Sequence, residues 1–141
     1  DEEQLVSLQT ELSFVNSYTY LLKARYGDGL ELQIQVEEAD RSKLIPPLTL
    51  QVIIENAVNQ NAINKQSPLR ISINSYRDGS LIVHNNVQPK VVTEIMDYET
   101  GLDNLVNKYR LLNESEVIIK ESKAERSIQL PLITKKEEMV S

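Results

Sequence analysis

The chain has 141 residues, 40% hydrophobic and 26% charged, a balance typical of one globular domain with its own core. Its formal charge of −6 and pI near 4.9 argue against a nucleic-acid partner, because that affinity comes largely from Lys and Arg that neutralise phosphates. The lack of cysteine excludes disulfides, thiol catalysis and Cys-ligated zinc. No apolar run approaches the roughly 20 residues that span a bilayer. The chain begins DEEQ without Met, and we expect it to be a piece of a longer protein.

The first third of the chain predicts a helix followed by a strand. Apolar residues recur at helical spacing over Glu2–Tyr26, with no internal proline or glycine. Gly27 and Gly29 then end the helix, since glycine is the usual residue past a helix terminus. Strict alternation over Leu30–Val36 predicts a half-buried strand.

A second helix is predicted within Leu44–Ile63, beginning at Pro46 and Pro47, because proline suits a first helical turn. One side of this helix is apolar. The opposite flank is polar and consists of Glu55, Asn56, Asn59 and Gln60. Carboxylate and amide groups on a packed helix indicate the wall of a site. The alternative is an ordinary amphipathic helix whose polar face is solvated.

The second half predicts two strand pairs around a third helix. Asp78-Gly79 marks a hairpin, because both residues tolerate the backbone of a tight turn. The predicted elements are a strand over Leu69–Asn74, a strand that begins with Leu81–Val83 and ends at His84-Asn85-Asn86, a loop over Val87–Tyr98, a helix over Leu102–Leu112, and strands Val117–Ile119 and Ser127–Ile133. This order predicts an α+β fold, a two-layer sandwich with a mixed sheet and helices on one face.

Two segments carry a family resemblance. IPPLTLQVIIENAVNQN (45–61) resembles the N-box helix of LytS-like sensor histidine kinases, and LQTELSFVNSYTYLLKARYGD (8–28) resembles their lead-in to that domain. The resemblance extends from Leu5 to Ile133 and implies the GHKL (Bergerat-type) ATP-binding fold. It implies a lead-in helix over residues 1–28, the ATP-binding domain over 29–134 and a charged tail over 135–141.

The N-box resemblance implies roles for the polar flank of the second helix. Asn56 matches the asparagine that ligates Mg²⁺, and Glu55 matches the preceding glutamate, a candidate proton acceptor. Asn59 stands where the family has a lysine that reaches the phosphates, and Gln60 where it has a histidine. A charge-assisted phosphate contact is therefore replaced by a neutral one.

The adenine box is replaced by VHNNVQPK (83–90). Asn85 stands in place of the family's aspartate and can still accept from an adenine amino group. Asn86 follows it as a second implied nucleotide contact. Val87 stands in place of a glycine, and a β-branched residue resists positive φ and fills space near the ring.

The last box resembles Gly-x-Gly-Leu-x-Asn at the start of a helix. Gly101, Leu102 and Asn104 match and are the implied contacts near the phosphates, whereas Glu99 replaces the first glycine. Backbone N–H groups at such a helix start can bind phosphate. The alternative is a plain helix start without a ligand.

His84 is the single histidine, and we interpret it as a structural or surface group. The resemblance implies that the chain binds ATP with Mg²⁺ and passes phosphoryl to a histidine in a separate dimerisation domain that the fragment lacks. A response regulator would be the next partner. The whole protein would be a homodimer anchored in the inner membrane, with this domain in the cytoplasm.

Two alternatives remain open at the sequence level. One is a degenerate GHKL-like module that binds little or no nucleotide and acts as an interaction scaffold, which Asn59, Val87 and Glu99 favour. The other is an anti-sigma-factor-like protein of the same fold, against which the long lead-in and the Ile45-Pro46-Pro47 string argue.

Overall fold

The structure is a computed structural model that describes residues 4–90, 100–112 and 116–134. Within these ranges the helices and strands are β1 (Val6–Ser7), α1 (Leu8–Tyr26), β2 (Leu30–Gln35), β3 (Leu44–Ile45), α2 (Thr49–Gln60), β4 (Leu69–Ser75), β5 (Leu81–Asn86), α3 (Thr100–Leu111), β6 (Ile118–Glu121) and β7 (Glu125–Leu130). Over this part of the chain, no helix combines the length and apolar character that crossing a bilayer requires.

The main sheet has the order β2-β4-β5-β7-β6, with β2 parallel to β4 and the other pairs antiparallel. Alternate strand residues, such as Leu30, Ile71, Val83 and Ile128, are buried in one core with the apolar sides of the helices. The predicted α+β sandwich with a mixed sheet is confirmed. The separation of a lead-in at residues 1–28 from the domain that follows stays a prediction.

The predicted start of the first helix at Glu2 is wrong, because α1 begins at Leu8. Ser7 is the N-cap of α1, because its Oγ accepts a hydrogen bond from the Thr10 N–H at 3.1 Å. Val6–Ser7 instead pairs antiparallel with Leu44–Ile45 as a two-stranded sheet. The predicted end at Gly27 is confirmed, and Gly27 adopts φ 57°.

The predicted start of the second helix at Pro46 is also wrong, because α2 begins at Thr49. Leu48 turns the chain into the helix at φ 68°. The carboxylate of Glu11 in α1, only 1% exposed, accepts from the Leu48 N–H at 3.1 Å and the Leu50 N–H at 2.9 Å. Burial raises the pKa of Glu11, and these two hydrogen bonds oppose that rise. A carboxylate from another helix therefore sets where α2 begins.

The predicted hairpin at Asp78-Gly79 is confirmed, since Gly79 adopts φ 87° and its N–H donates to the Tyr76 carbonyl oxygen at 2.9 Å. The strand after it runs from Leu81 to Asn86, which confirms the predicted strand that ends at His84-Asn85-Asn86. The residues after Val83 therefore belong to the sheet, where their side chains alternate between its two faces.

The closing strand pair is confirmed as an antiparallel hairpin, but its predicted boundaries are wrong. The first strand begins at Ile118, not Val117, and the second occupies Glu125–Leu130, not Ser127–Ile133. The earlier start of β7 places Arg126 inside the sheet. The predicted loop lies outside the described residues over 91–98, and so does the tail over 135–141.

Candidate functional site

A cavity of about 220 Å³ lies where the last turn of α2 meets the ends of β5 and β7. Its polar lining comes from Gln60, Asn61, Asn85, Lys90, Glu121 and Arg126. Two cationic side chains and one carboxylate are thus combined with amide groups. Such a lining favours an anionic ligand that also carries hydrogen-bonding groups.

Three buried polar side chains from three elements meet beside this cavity. Asn85 of β5 and Arg126 of β7 are cross-strand partners on the core side of the sheet, 2% and 3% exposed. The Nη1 of Arg126 donates to the Oδ1 of Asn56 in α2 at 2.6 Å. The site thus joins the predicted metal ligand and the predicted adenine contact through an arginine.

Sequence reasoning missed Arg126, although a signal for it was present. Arg126 alternates with Ile128 and Leu130, which are both buried, so it occupies a core-facing register position. A charged residue in such a register is buried only when it is paired. The predicted strand began at Ser127, so Arg126 lay outside it and its burial was not predicted.

A second hydrogen-bond network holds the cavity wall in place. Asn61 Nδ2 donates to the Ala57 carbonyl oxygen at 2.8 Å, and Asn61 Oδ1 accepts from the Gln88 N–H at 2.7 Å. Gln88 Nε2 donates to the Ala62 carbonyl oxygen at 2.8 Å. These bonds tie the C-terminal end of α2 to the segment after β5, so that both sides of the cavity are fixed.

Asn86 lies on the opposite face of the sheet from Asn85. Its Oδ1 accepts from the Arg70 N–H at 2.7 Å, and its Nδ2 donates to the Pro68 carbonyl oxygen at 3.1 Å. His84 lies on the same outer face, with its Nε2 2.6 Å from Glu125 Oε1. The side chain of Asn86 therefore supports neighbouring backbone, and its contact with a nucleotide stays a prediction.

Glu55 and Asn59 are exposed on α2. The pKa of Tyr18 in α1 is raised by burial first and then by the charge of Glu55. The side chain of Glu55 is thus exposed with its charge near α1, whereas its neighbour Asn56 is buried and contacts Arg126. The predicted proton-acceptor role of Glu55 and the phosphate contact of Asn59 stay predictions.

The residues of the last predicted box lie on α3, except Glu99, which falls outside the described residues. Gly101 is in the first turn, and Leu102 is buried in the core. Asn104 is exposed and borders a small groove of about 90 Å³ between α2 and α3, which Val52 also lines. Leu102 is thus a packing residue, and Asn104 remains open to a ligand.

One face of α2 connects these features. Val52 borders the groove, Asn56 contacts Arg126, and Gln60 lines the cavity. Spacing by four residues places these three side chains on one helix face. The structure therefore aligns Asn104, Asn56 and Asn85 along α2, and leaves Glu55 on another flank.

Val87 also lines the cavity. Its backbone does not adopt positive φ, so the strain expected for valine in place of glycine does not arise. Its N–H donates to the Ala124 carbonyl oxygen at 2.8 Å and extends the sheet. The effect of the valine is to occupy part of the cavity wall.

The residues at this site do not fit Mg²⁺ in the predicted manner. The Asn56 oxygen that would ligate the ion accepts a hydrogen bond from a guanidinium, which stays protonated in proteins. Two unit charges of like sign 4 Å apart repel by about 4 kcal/mol at an effective dielectric of about 20, and a divalent ion doubles this. Among the described residues no group of three His, Cys, Asp or Glu side chains could hold a metal.

Solved structures share this fold. The catalytic domain of histidine kinase ThkA superposes with a TM-score of 0.57 at 9% identity, over 95% of this chain and 99% of that one. The histidine kinase domain of the E. coli osmosensor EnvZ gives 0.53 at 10% identity, over 100% and 96%. Full-length ShkA in complex with AMPPNP gives 0.59 at 16% identity, over 95% and 32%. The chain therefore has the fold of a histidine kinase catalytic domain.

Sequence similarity indicates a narrower group of proteins than the similarity of fold does. The sensor histidine kinase/phosphatase LytS of Staphylococcus aureus strain MRSA252 is 30% identical over 91 residues, which are 62% of this chain, and LytS of strain N315 matches equally well. The match spans only 16% of the length of these curated relatives. No protein-family model matches. By sequence and fold the chain resembles the GHKL domain of LytS-like sensor histidine kinases. The family resemblance predicted from the sequence is confirmed.

Proposed function

We propose that this chain is the ATP-binding domain of a two-component sensor histidine kinase and that the cavity between α2, β5 and β7 takes the adenine nucleotide. The supporting observation is the cross-strand pair of Asn85 and Arg126 at the cavity, which combines an amide with a fixed positive charge. An asparagine oxygen can accept from the adenine amino group, and a guanidinium attracts phosphate.

In the whole protein, we propose, the γ-phosphoryl group passes to a histidine of a dimerisation domain and then to a response regulator. The intact protein would be a membrane-anchored homodimer with this domain on the cytoplasmic side. These proposals follow from the similarity to LytS. The residues of this chain would bind and orient the nucleotide, which is the larger part of catalysis in phosphoryl transfer.

Calorimetric titration with ATP and ADP tests nucleotide binding. Saturable binding is expected, and the variant Asn85→Ala should weaken it about tenfold, the loss of about 1.4 kcal/mol that one hydrogen bond supplies. Asn74→Ala is the matched control, because Asn74 pairs with Ile82 of β5 away from the cavity. At about 100-fold excess over Kd, ATP should add about 2.7 kcal/mol of stability. Absence of binding at millimolar nucleotide would contradict the proposal.

A degenerate module that does not transfer phosphoryl is the second candidate, and the contact between Asn56 and Arg126 favours it. A phosphorylation assay with labelled ATP on the full-length protein separates the two. Label on a histidine supports the kinase. Nucleotide binding without label supports the degenerate module.

A further inference from the structure

Arg126 and Asn56 form a buried contact at the centre of the proposed site, and the arginine is the charged member of this pair. The Nη1 of Arg126 lies 2.6 Å from Asn56 Oδ1, and the two residues are 3% and 6% exposed. They come from opposite layers of the sandwich, β7 and α2. The arginine therefore places a fixed positive charge where the family resemblance places a metal ion.

We propose that Arg126 takes the place of Mg²⁺, so that this site binds the free, metal-less form of an adenine nucleotide. The inference rests on the proposed function and specifies which form of the nucleotide is bound. A guanidinium and a magnesium ion both offset phosphate charge, but they repel each other, so the site holds one of them.

The surroundings of Arg126 support the same assignment. Among the described residues, Lys90 adds a second cation to the cavity lining, and the carboxylate there is that of Glu121, the β6 partner of Arg126. Mg²⁺ is usually held by one or two carboxylates together with phosphate oxygens, and the cavity instead offers mostly cationic and amide groups. The C-terminal end of α2, which carries partial negative charge, stabilises a cation beside its last turns.

Magnesium bound to ATP reduces the negative charge that the cavity lining attracts. The metal-less nucleotide is the more strongly charged ligand and should be attracted more strongly by Arg126 and Lys90. We therefore expect Mg²⁺ to weaken binding, which is the opposite of its expected effect at a site where asparagine ligates the ion.

The decisive experiment titrates the wild-type chain with ATP twice, once in EDTA and once in excess Mg²⁺ at matched ionic strength. Binding in EDTA that weakens severalfold in Mg²⁺ is the expected result. Binding only in Mg²⁺ would overturn the inference and leave the proposed function intact. Absence of binding in both conditions would overturn both.

The variant Arg126→Met tests whether this side chain is responsible, since it removes the charge and keeps an unbranched side chain. The expected result is at least a tenfold loss of binding in EDTA, because charge-assisted contacts to phosphate are lost. Arg70→Met is the matched control, because Arg70 pairs with Glu31 on the outer face of the sheet at 3.0 Å. A folded Arg126→Met chain that binds ATP in EDTA as wild type does would overturn the inference.

A third variant guards against loss of folding, which circular dichroism would reveal. Arg126→Lys keeps the charge, and we expect it to retain binding in EDTA even if Arg126→Met does not fold. Loss of binding in EDTA by a folded Arg126→Lys chain would mean that the positive charge alone does not replace the metal, and the inference would fail.

Discussion

The two ends of α2 are held by buried charges of opposite sign. At its N-terminal end the Glu11 carboxylate accepts from two backbone N–H groups. In its C-terminal half Arg126 donates to the side chain of Asn56. This arrangement matches the helix dipole, which favours negative charge at the N-terminus and positive charge at the C-terminus.

The two charges differ in what they face. Glu11 is 1% exposed and is bonded to backbone groups that a helix start leaves without partners, so its role is structural. Arg126 is equally buried but lies at a cavity that Lys90 and Asn85 also line. Burial of a charge therefore does not by itself mark a ligand site. The neighbouring cavity and its other polar groups make the difference.

The largest expected effect is loss of the N-terminal charge. Glu11→Ala removes the acceptor of two N–H groups, and a buried donor without a partner costs about 1–3 kcal/mol, so we expect a loss of about 3 kcal/mol. Urea denaturation measures it. Glu38→Ala is the control, because the Glu38 side chain is 96% exposed and its loss should be nearly neutral. Equal stability of both variants would show that the cap of α2 is dispensable.

A smaller effect is expected from the network at the other end of α2. Gln88→Ala removes hydrogen bonds to the carbonyl oxygens of Ala62 and Ser67, at 2.8 and 2.6 Å, and should cost about 2 kcal/mol. Hydrogen exchange should show faster opening at the C-terminal end of α2 than at its start. Gln33→Ala, at an exposed position of β2, is the matched control. Uniform exchange along α2 would contradict the prediction.

The smallest effect is a pH dependence carried by Glu11. Its pKa is raised from the ordinary value of 4.5, mainly by burial, so the folded state binds the proton more tightly than the unfolded chain does. Stability from this group is therefore full below about 4.5 and is lost as the pH rises through the raised pKa.

Thermal denaturation of wild type and Glu11→Gln between pH 4 and about 7.5 measures this dependence as a difference. Wild type should lose stability relative to Glu11→Gln as the pH rises. Other carboxylates cancel in that difference, including Asp40, whose pKa its hydrogen bond with Lys43 lowers. A difference that does not change with pH, or one of opposite sign, would refute the role of Glu11 as the titrating group.

Much of the fold was predictable because its signals are local. Alternation over Leu30–Val36, the glycine at position 27 and the Asp78-Gly79 turn each depend on a few neighbouring residues. The start of α2 was not predictable from its prolines, since the acceptor for its first N–H groups comes from Glu11, 37 residues before Leu48. The candidate site was half predicted: Asn56 and Asn85 were identified, whereas Arg126, 70 residues from Asn56, was not.

The sequence by itself determined the fold class, the family resemblance and which asparagines to examine, because periodicity and motifs are written in consecutive residues. Only the tertiary structure decided that Asn85 and Asn86 face opposite sides of the sheet and that Asn56 is bonded to an arginine from β7. Strand register and the distance between layers set those contacts. They are properties of the packed chain and not of any one segment.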